Sequence, residues 1–422
     1  MKTYAMMILG CKVNDYEAHS LKEKMNQDYK EVSFKDSADI YIIFSCCVTN
    51  VAEAKTRKFI HGARRRNPKA YIVVVGCYAQ TKSEEKVFED VDLIVGSKYK
   101  DHIKDYIDEA LKANKVEDLD DVNFENLSLR EYQDKTRAFL KIQDGCNQFC
   151  SYCIIPYARG HERSAKLNDI VAEANILSKT SKEIVLTGIH TGRYNDSEYH
   201  LIDLLKELVN IEALETIRLS SIEITEITDD IIDLMANNPK IANHLHIPLQ
   251  SGSNHILELM NRPYTKEEFL DRVNYIRSKV KNISISTDLI VGFPNETDED
   301  FKETINFIKD IKFSFMHIFP YSRKSNTKAD KMEGHLVEHL KKERAKAISD
   351  IQKEISLGFD KSFINKNVKV LVERCHNGIS FGHSKEYLMI QIEKELKTNE
   401  IYDVRIISVN NGIIKGEITN VA

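Results

Sequence analysis

The stretch Gly145–Gly160, GCNQFCSYCIIPYARG, decides how the rest of the chain is interpreted. It places Cys146, Cys150 and Cys153 in the spacing C-x3-C-x2-C, and the next cysteine, Cys375, follows only in a sequence of different character. Cysteine thiolates hold iron–sulfur clusters, normally four to a cubane. Three thiolates on one short loop therefore leave one iron without a protein ligand, and that iron is free to bind a small molecule.

Two other kinds of site also use closely spaced cysteines. A structural zinc ion needs four ligands, and His161 is the nearest residue that could complete the set. A ferredoxin-like electron carrier needs a fourth cysteine, which the sequence near the loop does not offer. The spacing and its apolar-aromatic tail resemble instead the signature of the radical S-adenosylmethionine superfamily. This resemblance implies that S-adenosylmethionine chelates the open iron and that an electron from the cluster cleaves its sulfonium.

Composition limits the class of protein. The chain has 422 residues, 30% of them charged, and a net charge of −5. This length predicts two or three domains, and the negative charge means that any contact with nucleic acid must come from local basic patches. Eight cysteines without secretory features predict metal ligation in a reducing, cytoplasmic location. No apolar run approaches the length of a membrane span, so we expect no membrane partner.

Three apolar runs near the start of the chain each end at a cysteine. Helix-length polar stretches separate these runs, which predicts an α/β domain with a parallel sheet. The carboxyl ends of parallel strands share one edge, so the cysteines should converge in a second three-thiolate site. Buried structural cysteines are the alternative, and spacing does not choose between Cys46 and Cys47. The runs are Tyr4–Leu9 before Gly10-Cys11, Ile40–Phe44 before Ser45-Cys46-Cys47, and Tyr71–Val75 before Gly76-Cys77.

The middle of the chain predicts a partial (β/α)6 barrel. Residues 113–137 are polar and are interpreted as a linker. Six apolar runs separated by helical stretches follow, with the three-cysteine loop at the C-terminal face of the barrel. Residues 331–359 predict an exposed helix that closes this part of the chain. The six runs are Phe139–Ile142, Glu183–Thr187, Thr216–Leu219, Leu245–Ile247, Ile283–Val291 and Phe315–Phe319.

The last part of the chain has a different texture. Past Lys361, short alternating strands predict a small all-β barrel, and Asn411-Gly412 predicts a tight hairpin. The predicted strands are Val368–Val372, Tyr387–Ile392, Val404–Val409 and Ile413–Ile418. The predicted domains are therefore residues 1–125, an α/β sheet domain, residues 132–360, the barrel, and residues 361–422, the all-β domain.

Two three-cysteine motifs followed by a small β-barrel resemble the methylthiotransferase family over nearly the whole chain. The motifs GCKVN at Gly10–Asn14, C-x-V-T-N at Cys46–Asn50 and GCYAQ at Gly76–Gln80 are similar to that family's N-terminal cluster motifs. The resemblance implies that Cys11, Cys46 and Cys77 hold a second [4Fe–4S] cluster. It also implies that the last domain is similar to the TRAM RNA-binding module.

Within the family, GCKVN, AFLKIQDGC at Ala138–Cys146 and RLSSIE at Arg218–Glu223 resemble the threonylcarbamoyladenosine branch. The isopentenyladenosine branch usually has Gln-Met-Asn in place of Lys12-Val13-Asn14. The implied reaction converts N6-threonylcarbamoyladenosine, beside the anticodon of tRNA, to its 2-methylthio derivative. It proceeds by radical C–H activation, sulfur insertion and methylation, with a second S-adenosylmethionine as methyl donor, an external electron donor and a sulfur source.

Other functions remain open from the sequence. One is methylthiolation of isopentenyladenosine in tRNA or of a ribosomal-protein aspartate, which would use the same clusters with a different pocket. Another, of a different class, is a noncatalytic iron–sulfur RNA-binding protein. Radical chemistry at carbon 2 of adenine needs no ordinary acid or base, so no histidine or carboxylate is nominated as a catalyst.

The resemblance and the shared barrel face also assign contacts to S-adenosylmethionine, although each of these residues fits a turn or core position as well. The wider superfamily's acidic residue after the second barrel strand is absent from Thr187–His190. Basic residues are candidates for RNA contact, although basic runs are commonly only solvated surface. The cofactor candidates are Tyr152, Thr187, Gly188, Ser220, Glu223, Gln250 and Ile290, and the RNA candidates are Arg64, Arg65, Arg66 and Arg159.

Overall fold

The N-terminal domain is a parallel α/β sheet, as the sequence predicts. The structure is a computed structural model that describes residues 1–120, 122–132 and 135–419. The sheet has the strand order β2-β1-β3-β4-β5-β6, and all its pairings are parallel. Its strands are β1 (Thr3–Ile8), β2 (Lys30–Glu31), β3 (Ile40–Ser45), β4 (Tyr71–Gly76), β5 (Leu93–Val95) and β6 (Ala113–Lys115). Its helices are α1 (Lys12–Met25), α2 (Asn50–Arg66), α3 (Cys77–Lys82) and α4 (Ile103–Asp108).

Burial explains why these segments form strands. Every residue of β3 is buried, which is typical of parallel strands covered by helices on both faces. The predicted linker at residues 113–137 is wrong at its start, because Ala113–Lys115 form the edge strand β6. This strand has no apolar run of its own and pairs with β5. Within the predicted linker, residues 121, 133 and 134 lie outside the described residues.

The central domain is a partial barrel of six parallel strands. They form two sheets, β13-β10-β7 and β14-β15-β16, and parallel bridges between Ile217 and Ile241 and between Ser221 and His246 join the two. The strands of this domain are β7 (Arg137–Lys141), β8 (Gln143–Asp144), β9 (Arg163–Ser164), β10 (Glu183–Thr187), β11 (Asn195–Asp196), β12 (Tyr199–His200), β13 (Thr216–Leu219), β14 (His244–His246), β15 (Ser284–Val291) and β16 (Phe315–Pro320). The helices are α5 (Ile155–Arg159), α6 (Leu167–Leu177), α7 (Leu201–Leu208), α8 (Asp229–Asn237), α9 (Asn254–Leu259), α10 (Lys266–Lys279), α11 (Asp298–Ile311) and α12 (Glu338–Lys361).

Local sequence fixes several of these helix ends. Thr265 and Thr297 begin α10 and α11 with capping boxes, in which their side chains accept from the backbone N–H groups of Glu268 and Asp300. The helix predicted at residues 331–359 is α12. It is not simply exposed, because Lys341, Arg344, Ile348 and Gln352 are buried.

The C-terminal domain is a closed five-stranded barrel in the order β17-β18-β19-β21-β20. Asn411 and Gly412 have φ values of 51° and 76°, which the predicted tight hairpin between β20 and β21 requires. The strand β18 was not predicted from the sequence. The strands are β17 (Asn367–His376), β18 (Ile379–Ser384), β19 (Met389–Ile392), β20 (Ile401–Asn410) and β21 (Ile413–Ile418). Among the described residues, no helix has both the length and the apolar character needed to cross a bilayer.

Candidate active site

The three-cysteine loop follows β8 and presents its thiols to hydrogen-bond donors. The backbone N–H of Gln148 donates to Cys146 Sγ at 3.4 Å, and Arg262 Nη1 donates to Cys150 Sγ at 3.3 Å. Burial, together with the charges of Cys150 and Cys146, raises the pKa of Cys153 to about 12. The three thiols therefore lie within electrostatic reach of one another. Hydrogen-bonded sulfurs of this kind suit an iron–sulfur cluster.

Arg262 connects the loop to a predicted cofactor residue. Its guanidinium is buried and forms an ion pair with Glu223, and its Nε donates to the hydroxyl of Tyr264 at 3.0 Å. Because the same guanidinium contacts Cys150, Glu223 is held beside the loop.

His190 contacts the loop from the other side. Its Nδ1 lies 3.4 Å from Cys146 Sγ and 3.2 Å from Glu162, and its Nε2 lies 2.8 Å from Glu226. Burial opposes protonation of this imidazole, but hydrogen bonds to Cys146, Glu162 and Glu226 raise the pKa of His190 to about 12. Glu162 and Glu226 thus supply carboxylates beside the segment that lacks the superfamily's acidic residue.

The second group of cysteines lies at the carboxyl edge of the N-terminal sheet. Gly10 and Gly76, which precede Cys11 and Cys77, have φ values of 102° and 99°, a conformation that glycine adopts most readily. A Cβ built on Gly10 would lie 3.2 Å from Cys46 Sγ, so a larger residue there would crowd this thiol. The glycines therefore let the strand ends approach closely.

Cys46 and Cys47 occupy different surroundings. Cys47 is 1% exposed and packs in the sheet's hydrophobic core. Its thiol hydrogen-bonds to Cys77, and this bond together with the charge of Arg159 lowers the pKa of Cys77 to about 6, against the effect of burial. Cys46 instead lies beside Gly10 and interacts electrostatically with both Cys77 and Cys11. The geometry therefore favours Cys46 as the companion of Cys11.

The prediction that Arg159 contacts RNA is wrong. Its side chain is fully buried, because it is held in a network of charges between the N-terminal sheet and the barrel. Nη1 lies 2.7 Å from Glu17 and 3.3 Å from Asp144, Nη2 donates to Asn14 Oδ1 at 2.5 Å, and Nε donates to Cys77 Sγ at 3.2 Å.

The other arginines predicted to contact RNA lie at the end of α2. Arg64 is half-buried and donates to Pro68 O at 3.0 Å and Ala70 O at 2.8 Å, so it stabilises the helix end. Arg65 and Arg66 are exposed. Because α2 has 17 residues, they lie about 24 Å along the helix from its start near Cys46.

A pocket of about 910 Å³ joins all three domains. Cys11 and Lys12 line it from the N-terminal sheet, and Glu373 and Tyr387 line it from the C-terminal barrel. The predicted cofactor residues Thr187, Gly188 and Ser220 line its barrel wall.

Charged and aromatic side chains dominate one side of this pocket. Arg218 Nε and Nη2 lie 2.7 and 3.3 Å from the carboxylate oxygens of Glu183, and Arg137 lies 2.7 Å from Glu373. Both guanidinium groups also lie over the ring of Tyr387, at 5.0 and 5.4 Å from its centroid. Lys12 is exposed to the pocket. The surrounding protein partly desolvates its ammonium group, and this effect, together with the positive charges of Arg137 and Arg218, lowers the pKa of Lys12 to about 8.

Comparisons with known proteins agree with this arrangement. Residues 140–308 match the model of the radical SAM superfamily, and residues 3–96 match Uncharacterized protein family UPF0004. The threonylcarbamoyladenosine tRNA methylthiotransferase MtaB of Bacillus subtilis is 38% identical over 100% of this chain and 97% of its own length. That of Aquifex aeolicus is 43% identical over 87% of this chain and 92% of its own. This chain belongs to the tRNA methylthiotransferase family.

Other members of the family are named for a different nucleoside. The tRNA-2-methylthio-N(6)-dimethylallyladenosine synthase of Clostridium botulinum is 33% identical over 97% of this chain and 95% of its own length. Among solved structures, the radical S-adenosylmethionine methyltransferase TsrM from Kitasatospora setae is similar, with a TM-score of 0.58, 13% identity, and coverage of 90% of this chain and 81% of that one. The low identity limits this likeness to the fold.

Membership of the radical SAM superfamily implies S-adenosylmethionine and a [4Fe–4S] cluster, and membership of the tRNA methylthiotransferases implies a tRNA substrate. The three thiols on Gly145–Gly160 fit such a cluster, because Gln148 and Arg262 direct N–H groups at them and Cys375 lies far along the chain in β17.

The remaining predicted cofactor residues of this methylthiotransferase are Tyr152, Gln250 and Ile290, and Ile290 is linked to each of the other two. Tyr152 and Ile290 pack against the same small apolar cluster around Phe293. Gln250 has a φ of 69°, and its carbonyl accepts from the N–H of Ile290 at 2.9 Å. In contrast to Thr187, Gly188 and Ser220, these three residues do not line the 910 Å³ pocket.

Sequence reasoning missed several residues that build the site of this methylthiotransferase. Arg218 is the one that the sequence could have indicated, because an arginine inside the short apolar run Thr216–Leu219 must find a buried partner. Arg262, His190 and Tyr387 give no comparable signal, since each acts through neighbours distant in the sequence.

Proposed function

We propose that this protein converts N6-threonylcarbamoyladenosine beside the anticodon of tRNA to 2-methylthio-N6-threonylcarbamoyladenosine. The observation that carries this assignment is the charged pocket, whose wall holds Lys12, Arg137 and Arg218. A threonylcarbamoyl group bears a carboxylate, whereas a dimethylallyl group is apolar and would leave the ammonium group of Lys12 without a partner. The identities of 38% and 43% to relatives named for threonylcarbamoyladenosine support the same substrate.

We assign one [4Fe–4S] cluster to Cys146, Cys150 and Cys153 and a second to Cys11, Cys46 and Cys77. Held by these thiolates, the first cluster would supply the electron for reductive cleavage of S-adenosylmethionine, and the second would supply the sulfur. A second S-adenosylmethionine supplies the methyl group. An external electron donor and a sulfur source complete the reaction.

The protein's own side chains hold these parts in place. Arg262 donates to Cys150 and fixes Glu223 next to it, which supports Glu223 as a contact of the methionine end or ribose. Thr187, Gly188 and Ser220 line the wall shared with the substrate pocket. Tyr152, Gln250 and Ile290 are assigned to another side of the cofactor, because Tyr152 and Ile290 pack against the apolar cluster around Phe293 and Gln250 bonds to Ile290.

The contact with tRNA is assigned to the mouth of the pocket and to the C-terminal barrel, which supplies Glu373 and Tyr387 to it. Arg65 and Arg66 extend this surface along α2. We retain the partition into residues 1–125, 132–360 and 361–422, of which 420–422 lie outside the described residues. Free cysteines and a tRNA substrate support a cytoplasmic location.

Mass spectrometry of tRNA nucleosides from cells lacking this protein tests the substrate. We expect 2-methylthio-N6-threonylcarbamoyladenosine to disappear and its precursor to accumulate, while the methylthio derivative of isopentenyladenosine persists. The reverse pattern would contradict the assignment. Re-expression of a Cys146→Ala variant should not restore the product, whereas Cys375→Ala should, because Cys375 lies in β17 of the C-terminal barrel.

A further inference from the structure

The charges in the pocket are not all matched. Arg218 is bonded through two nitrogens to the carboxylate of Glu183, at 2.7 and 3.3 Å. Arg137 is 2.7 Å from Glu373 and 3.9 Å from the same Glu183. Each arginine of the pocket wall therefore already has an anionic partner.

Lys12 differs from its neighbours in this respect. It is the first residue of α1 and lines the pocket beside Arg137 and Arg218, yet within residues 1–120, 122–132 and 135–419 no carboxylate lies within ion-pairing distance of its ammonium group. The acidic residue Asp288, which also lines the pocket, lies 3.3 Å from His246. Among the described residues, Lys12 is thus the lysine or arginine of the pocket wall that has no carboxylate partner.

An unpaired cation in a confined pocket selects its ligand by charge. An anion that enters gains a charge-assisted hydrogen bond and also relieves the repulsion between Lys12 and the two guanidinium groups. A neutral or apolar ligand of the same size removes water from the ammonium group of Lys12 without offering it a partner, and binding is weakened by that desolvation. The pocket therefore discriminates between a substituent with a carboxylate and one without.

We propose that Lys12 binds the carboxylate of the threonylcarbamoyl group and is the residue that distinguishes this substrate from an uncharged N6 substituent. The inference rests on the proposed function, since it names the side chain that recognises the N6 substituent of the substrate at that site. Arg137 and Arg218 shape the wall and contribute positive potential, while Lys12 makes the direct contact. The ring of Tyr387, stacked 4.8 Å from His244 and 4.6 Å from His383, holds the C-terminal barrel against this wall.

The test compares three anticodon stem-loop RNAs with the reconstituted, full-length enzyme. One carries N6-threonylcarbamoyladenosine, the second carries the methyl ester of the same group, and the third carries isopentenyladenosine. The measured quantity is kcat/KM for methylthiolation, expressed as the ratio of acid to ester for each variant. Because both substrates are assayed with one preparation, a partial loss of cluster next to Cys11 cancels in this ratio.

We expect the wild-type enzyme to prefer the acid, and Lys12→Met to lower the acid-to-ester ratio by about 10- to 100-fold, the effect of one charge-assisted hydrogen bond. Lys12→Arg should restore most of the ratio. Lys135→Met is the matched control, because Lys135 also lines the pocket but is already paired with Asp15, so the wild-type ratio should persist.

Two outcomes overturn the inference in distinguishable ways. If the wild-type enzyme modifies the threonylcarbamoyl RNA and Lys12→Met keeps the wild-type ratio, the role of Lys12 is refuted while the proposed function stands. If the wild-type enzyme modifies only the isopentenyladenosine RNA, the proposed function fails, and this inference fails with it.

Discussion

Arg159 Nε donates a hydrogen bond to Cys77 Sγ across 3.2 Å. Arg159 ends the helix that follows the three-cysteine loop, whereas Cys77 begins α3 at the edge of the N-terminal sheet. One buried guanidinium therefore connects the two thiol sites and fixes their relative position. The remaining nitrogens of Arg159 bond to Glu17, Asp144 and Asn14, so its orientation is determined on all sides.

The first prediction concerns the stability that this network supplies. Arg159→Met leaves Glu17 and Asp144 buried with fewer cationic partners, and we expect the free energy of unfolding of the apoprotein to fall by about 3 kcal/mol. Denaturant titration measures the change. Arg65→Met, at an exposed site, is the control and should leave stability nearly unchanged. Equal stabilities of the two variants would contradict a stabilising role for the network.

The second prediction separates Cys46 from Cys47. Cys46→Ala should lose the iron of one cubane, about four per chain, because Cys46 lies against Gly10, the residue that precedes Cys11. Cys47→Ala should keep that iron, since Cys47 is 1% exposed and its side chain is packed in the hydrophobic core of the sheet. Iron and sulfide analysis after anaerobic reconstitution gives the answer, with Cys375→Ala as the variant that retains both clusters. Iron loss from Cys47→Ala alone would reverse the assignment.

The third prediction concerns the electronic effect of Arg262 on the barrel site. Its guanidinium donates to Cys150 Sγ at 3.3 Å, and hydrogen bonds to cluster sulfurs raise the reduction potential. Arg262→Met should lower the potential by about 60 to 130 mV, the equivalent of one charge-assisted hydrogen bond in a one-electron couple. Potentiometry followed by EPR measures this shift. Arg262→Lys keeps the charge and should show a smaller change, and an unshifted potential in Arg262→Met would refute the effect.

The fourth prediction is a pH dependence of folding stability. Burial raises the pKa of Glu173 from an ordinary value of 4.5 to about 7, although Tyr16 and the N–H of Leu129 donate to it. Because the folded-state pKa of Glu173 lies above its unfolded value, the protonated carboxyl group favours the folded protein. This contribution to the free energy of unfolding is complete below pH 4.5 and is lost as the pH rises through 7. The loss amounts to about 3 kcal/mol.

Denaturant titrations of the apoprotein between pH 5 and pH 8 measure this slope, and Glu173→Gln should flatten it. Burial also raises the pKa of Asp360, to about 6. Asp360→Asn therefore serves as a comparison, because it should remove the contribution of Asp360 to the pH dependence of the free energy of unfolding and leave that of Glu173. A Glu173→Gln variant with the full wild-type slope would show that Glu173 is ionised in the folded protein.

Local sequence was sufficient for much of the fold. The buried runs Glu183–Thr187 and Thr216–Leu219 form strands with the predicted bounds, because a short apolar run between polar segments has few alternatives. The edge strand Ala113–Lys115 was missed since its residues become a strand only by pairing with β5. Tyr387 was expected to begin a strand, but it has a φ of 67° and lies outside β19, where it stacks on His244 of the barrel.

The sequence by itself determined the groups that carry chemistry, since the C-x3-C-x2-C loop and three strand-end cysteines are local patterns of thiols. Only the tertiary structure decided what surrounds those groups. It buried Arg159, which the sequence presents as a basic residue available to RNA, and it left Lys12 without a carboxylate partner among the described residues. It also brought Tyr387 of the C-terminal barrel to the wall formed by Arg137 and Arg218. The physical reason is that desolvation and charge pairing depend on neighbours from other domains, which no local pattern encodes.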